Sequence, residues 1–196
     1  MKDSICIIPA RGGSRRIPRK NRRVFHGKPI FQYSVETAWA SELFERVVVS
    51  TDDDDLAGLA YAMGADVHER RPEHAQDHIG TQEVTAQVLE DLGWDGECAC
   101  CLYATAPLVV PFDLSQARLI LGDDPWINYV VTSCANRIED AGAFYFGRTA
   151  AFKARWPLAS PETVLWPLPP ERCCDINEEH DWLKAELLYE AMRANP

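Results

Sequence analysis

Apolar residues recur along this chain at two spacings, and the two alternate. Ser4-Ile5-Cys6-Ile7-Ile8 is a short unbroken apolar stretch that predicts a strand buried on both faces and closed by Pro9. From Pro29 to Ser41 the period lengthens to that of a helix, with proline early and Ile30, Tyr33 and Ala38 turned toward a core. Arg46-Val47-Val48-Val49-Ser50 predicts a second strand. Thr51 with Asp52 to Asp55 then caps a helix that runs through Met63 and stops at Gly64. Ala65 to His68 predicts a short strand, Thr81 to Leu92 a helix, Cys98 to Tyr103 a third buried strand, and Asp113 to Leu121 another helix. Tyr129 to Thr132 and Ala143 to Phe146 are strand-like, and Glu178 to Met192 closes the pattern as a helix with Trp182, Leu183, Leu187 and Leu188 at helical spacing. Such alternation predicts a three-layer α/β/α sandwich, a mostly parallel sheet with helices on both faces. Ligands of these folds lie beyond the carboxyl ends of the strands, which places the loop after the first strand at the candidate site.

Composition narrows the class. With 196 residues the chain reads as one domain spanning 1–196, and 46% hydrophobic with 26% charged residues is ordinary globular usage. Six Trp and seven Phe are too much apolar surface for a disordered chain. No run approaches the roughly 18 apolar residues of a membrane span. Lys2 and Asp3 before a brief apolar stretch do not read as a signal peptide, so the expected location is the cytoplasm. The seven cysteines form an odd set without a regular framework and are expected to be buried free thiols. The aspartates 52–55 could form a metal cluster, but acids in a first helical turn more often answer the positive end of the helix. The five histidines make no HExxH arrangement and read as surface or loop residues.

Charge changes the picture more. The formal net charge is -10, yet Arg11, Arg15, Arg16, Arg19, Lys20, Arg22 and Arg23 form a window with no acid in it. Outside that window thirteen basic residues face thirty acidic ones. A concentrated positive segment on an acidic body suits a compact polyanion. A nucleic-acid binder would spread the charge over a face and interleave aromatics, so no nucleic-acid partner is expected. Gly12-Gly13-Ser14 stands between the first strand and the cations, where a glycine-rich backbone can approach a ligand and aim N–H groups at phosphate oxygens. The pattern is neither GxGxxG nor Walker A.

Ile8-Pro9-Ala10-Arg11-Gly12-Gly13-Ser14-Arg15-Arg16-Ile17-Pro18-Arg19-Lys20-Asn21 resembles the nucleotide-binding signature of the acylneuraminate cytidylyltransferases, nearest the bacterial branch acting on pseudaminic acid. The likeness continues through Gly27-Lys28-Pro29-Ile30, Val49-Ser50-Thr51-Asp52-Asp53, Arg71-Pro72, Leu102-Tyr103-Ala104-Thr105-Ala106-Pro107-Leu108, Asp140-Ala141-Gly142 with Phe144-Tyr145, and Asp175-Ile176-Asn177. It implies a nucleotide-diphospho-sugar transferase (Rossmann-like) fold. It also implies transfer of CMP from CTP to a nine-carbon sugar acid, with release of pyrophosphate. By the same resemblance Arg11, Ser14, Arg15 and Lys20 hold the triphosphate, assisted by the amides of Gly12 and Gly13. Asn21 and Arg71 read the cytosine edge with Gly80 and Thr81 nearby, and Tyr103 faces the sugar. Arg11, Lys20 and Asp175 are the implied catalytic set, and Mg2+ is implied at Asp175 and position 177.

Two features depart from the family. Position 177 is Asn rather than a second metal aspartate, a change that keeps a helix cap while removing a charge. The connection Ser133–Glu139 is also several dozen residues shorter than in relatives, at the place where the family builds a dimerisation element and positions cations for the sugar carboxylate. The homodimer implied by the resemblance is weakened accordingly. A catalytically weak or inactive nucleotide-binding homologue with a regulatory role is the alternative reading.

Overall fold

The three unbroken apolar runs become neighbouring parallel strands. The structure, a computed structural model, describes residues 3–76, 78–134 and 140–194. In chain order it contains β1 (Ser4–Pro9), a small antiparallel pair β2 (Val24–Phe25) and β3 (Lys28–Pro29), α1 (Phe31–Ala40), β4 (Arg46–Thr51), α2 (Asp54–Ala62) and β5 (Asp66–Glu69). There follow α3 (Thr81–Asp91), β6 (Cys98–Leu102), α4 (Pro111–Asp123), β7 (Tyr129–Cys134), β8 (Asp140–Arg148), α5 (Thr149–Lys153), β9 (Thr163–Leu168) and α6 (Glu179–Ala194). The main sheet has seven strands in the order β5-β4-β1-β6-β8-β7-β9. Only β8 runs against its neighbours β6 and β7, so the sheet is mostly parallel, as expected.

Because side chains alternate across a strand, β1 serves both faces of the sheet. Cys6 and Ile8 join Val47, Val49, Cys100 and Leu102 against Phe31, Val35, Leu56, Leu114 and Leu121 of the helices on one side. Ile5 and Ile7 join Val48, Ala99 and Cys101 against Val84, Val88, Leu89 and Phe152 on the other. This is the three-layer sandwich, and the register Ile7↔Val48 and Cys6↔Cys100 stacks its layers.

A third, smaller cluster matters more for function. Ile17, from within the basic segment, packs with Phe25, Ile30, Tyr33, Ile176, Trp182 and Ala185. Phe25 presents its edge to Tyr33, Trp182 and Tyr189 at ring separations of 5.5, 5.6 and 5.4 Å. The Arg23 guanidinium lies 4.3 Å over the Trp182 ring. The basic segment is thus seated on α6 by Ile17 and by Arg23, which also pairs with Glu179, while Lys20 and Arg16 turn toward the cleft. On α6 Trp182 is buried but Leu183 and Leu187 are exposed, so the buried stripe is narrower than the spacing suggests.

The sequence did not predict β9, α5 or the β2–β3 pair. The expectation of wholly free thiols is corrected: Cys134 and Cys173 form a disulfide with Cα atoms 5.7 Å apart, although 39 positions separate them in sequence. Cys134 ends β7 and Cys173 follows β9, and these strands are parallel neighbours, so the same end of each comes together. Cys6, Cys98, Cys100, Cys101 and Cys174 are free. Residues 135–139 of the short connection before β8 lie outside the described residues.

Candidate active site

At the carboxyl edge of β1 and β6 a cleft of about 470 Å³ opens, lined by Arg11, Gly13, Ser14, Arg15, Arg16, Lys20 and Asn21 on the side of the basic segment. Arg70, Thr81, Tyr103, Thr105 and Asn177 complete the wall. The loop turns sharply at Arg19, whose φ of 54° is left-handed, and then makes one tight turn over Lys20–Arg22. That turn aims Lys20 inward: its Nζ donates to the Ile176 carbonyl at 2.6 Å. Desolvation by burial lowers the Lys20 pKa against the opposing pull of Asp175. Arg16 Nη2 donates to Asn177 Oδ1 at 2.8 Å, and Arg11 Nη1 reaches the Ala75 carbonyl at 3.4 Å. Five cationic side chains, counting Arg70, therefore share one cleft on an acidic molecule.

The structure distributes the remaining expected residues unevenly. Gly13 lines the cleft with open space around it. Gly12 does not offer its amide to the cleft, because that N–H donates to Asp52 Oδ1 at 2.8 Å. A Cβ at Gly12 would stand 2.8 Å from Asp53 Oδ2, so glycine is required there for close approach to the start of α2. Asp53 caps α2 by accepting from Leu56 N at 3.0 Å, and Asp55 pairs with Arg22, so the aspartate run serves the helix and the loop. Asn21 is buried and spends its amide donor on the Arg11 carbonyl at 2.8 Å, bracing the loop. Gly80 stands at the N-cap of α3, with Thr81 as the first helical residue.

Arg71 is not brought to the cleft. It is exposed and pairs with Asp91 at 2.9 Å, and its neighbour Arg70 turns inward instead. Arg70 donates to Ser50 Oγ at 3.2 Å and to the Ser50 carbonyl at 2.8 Å. His68 lies between Ser50 Oγ and Asp91 Oδ2, at 3.1 Å from each, so Asp91 anchors the support of Arg70 from outside. Burial pulls the Arg70 guanidinium down to about 10. Residues leaving a strand alternate in direction, and which of two adjacent arginines points inward depends on a register that the sequence does not print.

Asp175 is not among the residues that line the cleft; it belongs to an acidic corner that acts electrostatically on Lys20. Asp175 is raised above its ordinary value, chiefly by burial, and its Oδ2 accepts from Asn177 Nδ2 at 2.5 Å. Gly142, at φ +60°, lies so close that a Cβ there would be 2.5 Å from Asp175 Cγ. Asp140 belongs to the same corner, its Oδ1 accepting from Gly142 N at 2.9 Å and its Oδ2 from the Tyr145 hydroxyl. Sequence reasoning missed Arg16, Arg70, Asp140 and Tyr145 as site residues. The first belonged to the basic run, and the last two to the Asp140–Tyr145 motif.

Among the described residues no three acidic, histidine or cysteine side chains gather as a metal cage. The chemistry of the corner nonetheless fits a hard divalent ion, which ordinarily keeps several waters and takes one or two carboxylates with substrate phosphates. Asp175 is the carboxylate that would hold such an ion. The Asn177 oxygen is engaged by Arg16, so position 177 contributes less than an aspartate would.

A parallel-sheet cleft with a glycine turn and clustered cations at its mouth defines a nucleotidyltransferase architecture. The fold is that of the CMP:2-keto-3-deoxy-manno-octonic acid synthetase solved in complex with CTP, with a TM-score of 0.77 at 17% identity over 96% of this chain and 99% of that one. The chain belongs to the cytidylyltransferase family, whose model matches residues 5–140. It is 31% identical to a pseudaminic acid cytidylyltransferase of Campylobacter jejuni over 95% of this chain and 96% of that protein. It is 39% identical to an N-acylneuraminate cytidylyltransferase of Oncorhynchus mykiss over 57% of this chain and 26% of that one. The alignment with the Campylobacter protein spans 222 positions against 196 residues here, so that relative carries residues this chain lacks. No helix among the described residues is long and apolar enough to cross a membrane.

Proposed function

We propose that the chain transfers CMP from CTP to a nine-carbon sugar acid of the pseudaminic or acylneuraminic type and releases pyrophosphate. The sugar hydroxyl oxygen forms a bond to the α-phosphorus and gives up its proton to solvent as the bond from that phosphorus to pyrophosphate breaks, so negative charge accumulates on the departing group. Positioning and electrostatic stabilisation are what such a transfer requires. Arg11, Ser14, Arg15, Arg16 and Lys20 line the cleft with Gly13 and would hold the triphosphate. Opposite unit charges 4 Å apart are worth about 4 kcal/mol at an effective dielectric near 20, so several cations stabilise the leaving pyrophosphate appreciably. Asn21, Arg70 and Tyr103 line the same cleft and would meet the base or the sugar. Asp175 would hold a divalent metal such as Mg2+, which when bound neutralises triphosphate charge.

The observation that carries this reading is the joining of two distant segments. Lys20 bonds the Ile176 carbonyl and Arg16 bonds Asn177, so the cationic cleft is tied to the segment that carries Asp175. Relatives named as transferases that match nearly the full chain give the non-catalytic alternative no support. The test is pyrophosphate release from CTP and magnesium with pseudaminic acid and N-acetylneuraminic acid supplied separately. Release that requires both CTP and a sugar acid is expected. Measurable CTP binding with no release for any sugar acid would overturn the proposal.

A further inference from the structure

A row of hydroxyls crosses the molecule from the cleft to the acidic corner. Thr81 Oγ1 lies 3.2 Å from the Tyr103 hydroxyl, the Tyr103 hydroxyl lies 2.6 Å from that of Tyr145, and the Tyr145 hydroxyl donates to Asp140. Thr81 and Tyr103 line the nucleotide cleft. Tyr145 and Asp140 line a second hollow of about 390 Å³ on the far side. The two rings meet edge to face at 5.6 Å and hold the hydroxyls in register.

Each tyrosine has one proton, and an ionised carboxylate can only accept. With Asp140 at its end the row has one possible direction. Tyr145 gives its proton to Asp140 and so can only accept from Tyr103. Tyr103 gives its proton to Tyr145 and so can only accept from Thr81 or from a ligand. We propose that Asp140 is a positioning residue that makes the Tyr103 edge of the cleft a pure hydrogen-bond acceptor, which selects a substrate donor group and turns away its anionic groups. A phosphate or carboxylate oxygen meets a lone pair there. The cations of the basic segment that line the same cleft are then the favoured seat for the charged parts of both substrates. This inference rests on the proposed function and assigns the polarity of the same site. The donor that meets Tyr103 is either the exocyclic amine of cytosine or a hydroxyl or acylamino N–H of the sugar acid, and the test separates these.

CTP and UTP binding are measured by calorimetry on the wild-type protein and on Tyr145→Phe, Asp140→Ala and Tyr103→Phe. Steady-state KM and kcat are measured with pseudaminic and N-acetylneuraminic acids. Uracil carries an acceptor where cytosine carries its amine. If the base is the donor, the CTP-over-UTP preference falls at least tenfold in all three variants. If the sugar is the donor, that ratio stays while sugar KM rises at least tenfold and kcat changes less than threefold. Either result supports the inference, and a purely structural role for Asp140 would move neither the ratio nor the KM-against-kcat split. Ratio and sugar KM both within threefold of wild type in Tyr145→Phe and Asp140→Ala would overturn it. So would a loss confined to kcat. Asp140→Ala, at an exposed position, guards against misfolding of Tyr145→Phe. A wild-type protein that binds CTP but turns over no sugar acid would overturn the proposed function. The inference then concerns the base alone, so an at least tenfold fall in the CTP/UTP ratio in the variants supports it and an unchanged ratio overturns it.

Discussion

Lys20 carries its charge where water solvates it poorly, and its lowered pKa records that cost. A triphosphate restores what burial removes, so Lys20→Ala is expected to weaken CTP binding by about 10- to 100-fold, the worth of a charge-assisted hydrogen bond. Cytidine, which brings no charge, should lose less than threefold, and calorimetry with the two ligands checks this. Asp175 is the opposite case. Its folded pKa lies above the unfolded value, so its contribution to stability is fully present below the unfolded pKa and is lost as pH rises through the folded one. At neutral pH the ionised carboxylate is therefore a modest liability to folding, since its exposure to water offsets part of the cost. Metal-free Asp175→Asn should melt at or above the wild-type temperature at pH 7, with the difference vanishing under acid, while pyrophosphate release drops on the order of 100-fold or more. At this scale the sequence was informative about residue type and less so about direction. The cations of the basic run were legible from charge alone, whereas Arg70 in place of Arg71, and the Gly12 amide turned to Asp52, depend on strand register and on a neighbouring helix start that no local pattern encodes.

Among the elements, α6 has a role beyond closing the fold. Its buried Trp182 meets Phe25 and the stem of the basic segment, and Ile176 beside Asp175 belongs to the same small cluster. Trp182→Ala removes the seat on which that segment rests. It is expected to cost about 3–5 kcal/mol, as large-to-small aromatic replacements in cores do. Urea denaturation would measure the loss, and CTP affinity should fall with it because Lys20 loses its aim. Elements with long apolar periods were readable to within a few residues. The ones missed are short or lie at an edge: α5 has five residues, β2 and β3 two each, and β9 is an edge strand containing Pro167 and partly exposed. Proline and partial exposure erase the alternation by which a strand is read.

At the level of the whole molecule, charge segregation sets the binding thermodynamics. An acidic body repels polyanions in general, and a recessed cationic cleft admits a small one. CTP at a hundred times its Kd should stabilise the protein by about 2.7 kcal/mol, or roughly 5–10 °C in melting temperature for a chain of this size. Raising the salt concentration should shrink that shift, and thermal melts at two ionic strengths read it directly. The α/β class, the layered sheet and the position of the cleft at the strand ends were all legible from alternation, because those features follow from which faces must be buried. The disulfide between Cys134 and Cys173 was not, since it depends on β9 lying parallel beside β7.

The arginine stacked on Trp182 has a practical consequence. Indole emission responds to a cation at its face, and Arg23 belongs to the same short loop as Lys20. Emission from Trp182 is therefore expected to change when CTP binds beside Lys20, and a fluorescence titration with CTP checks this. Replacing the other five tryptophans by phenylalanine would isolate its signal for stopped-flow work without any attached dye.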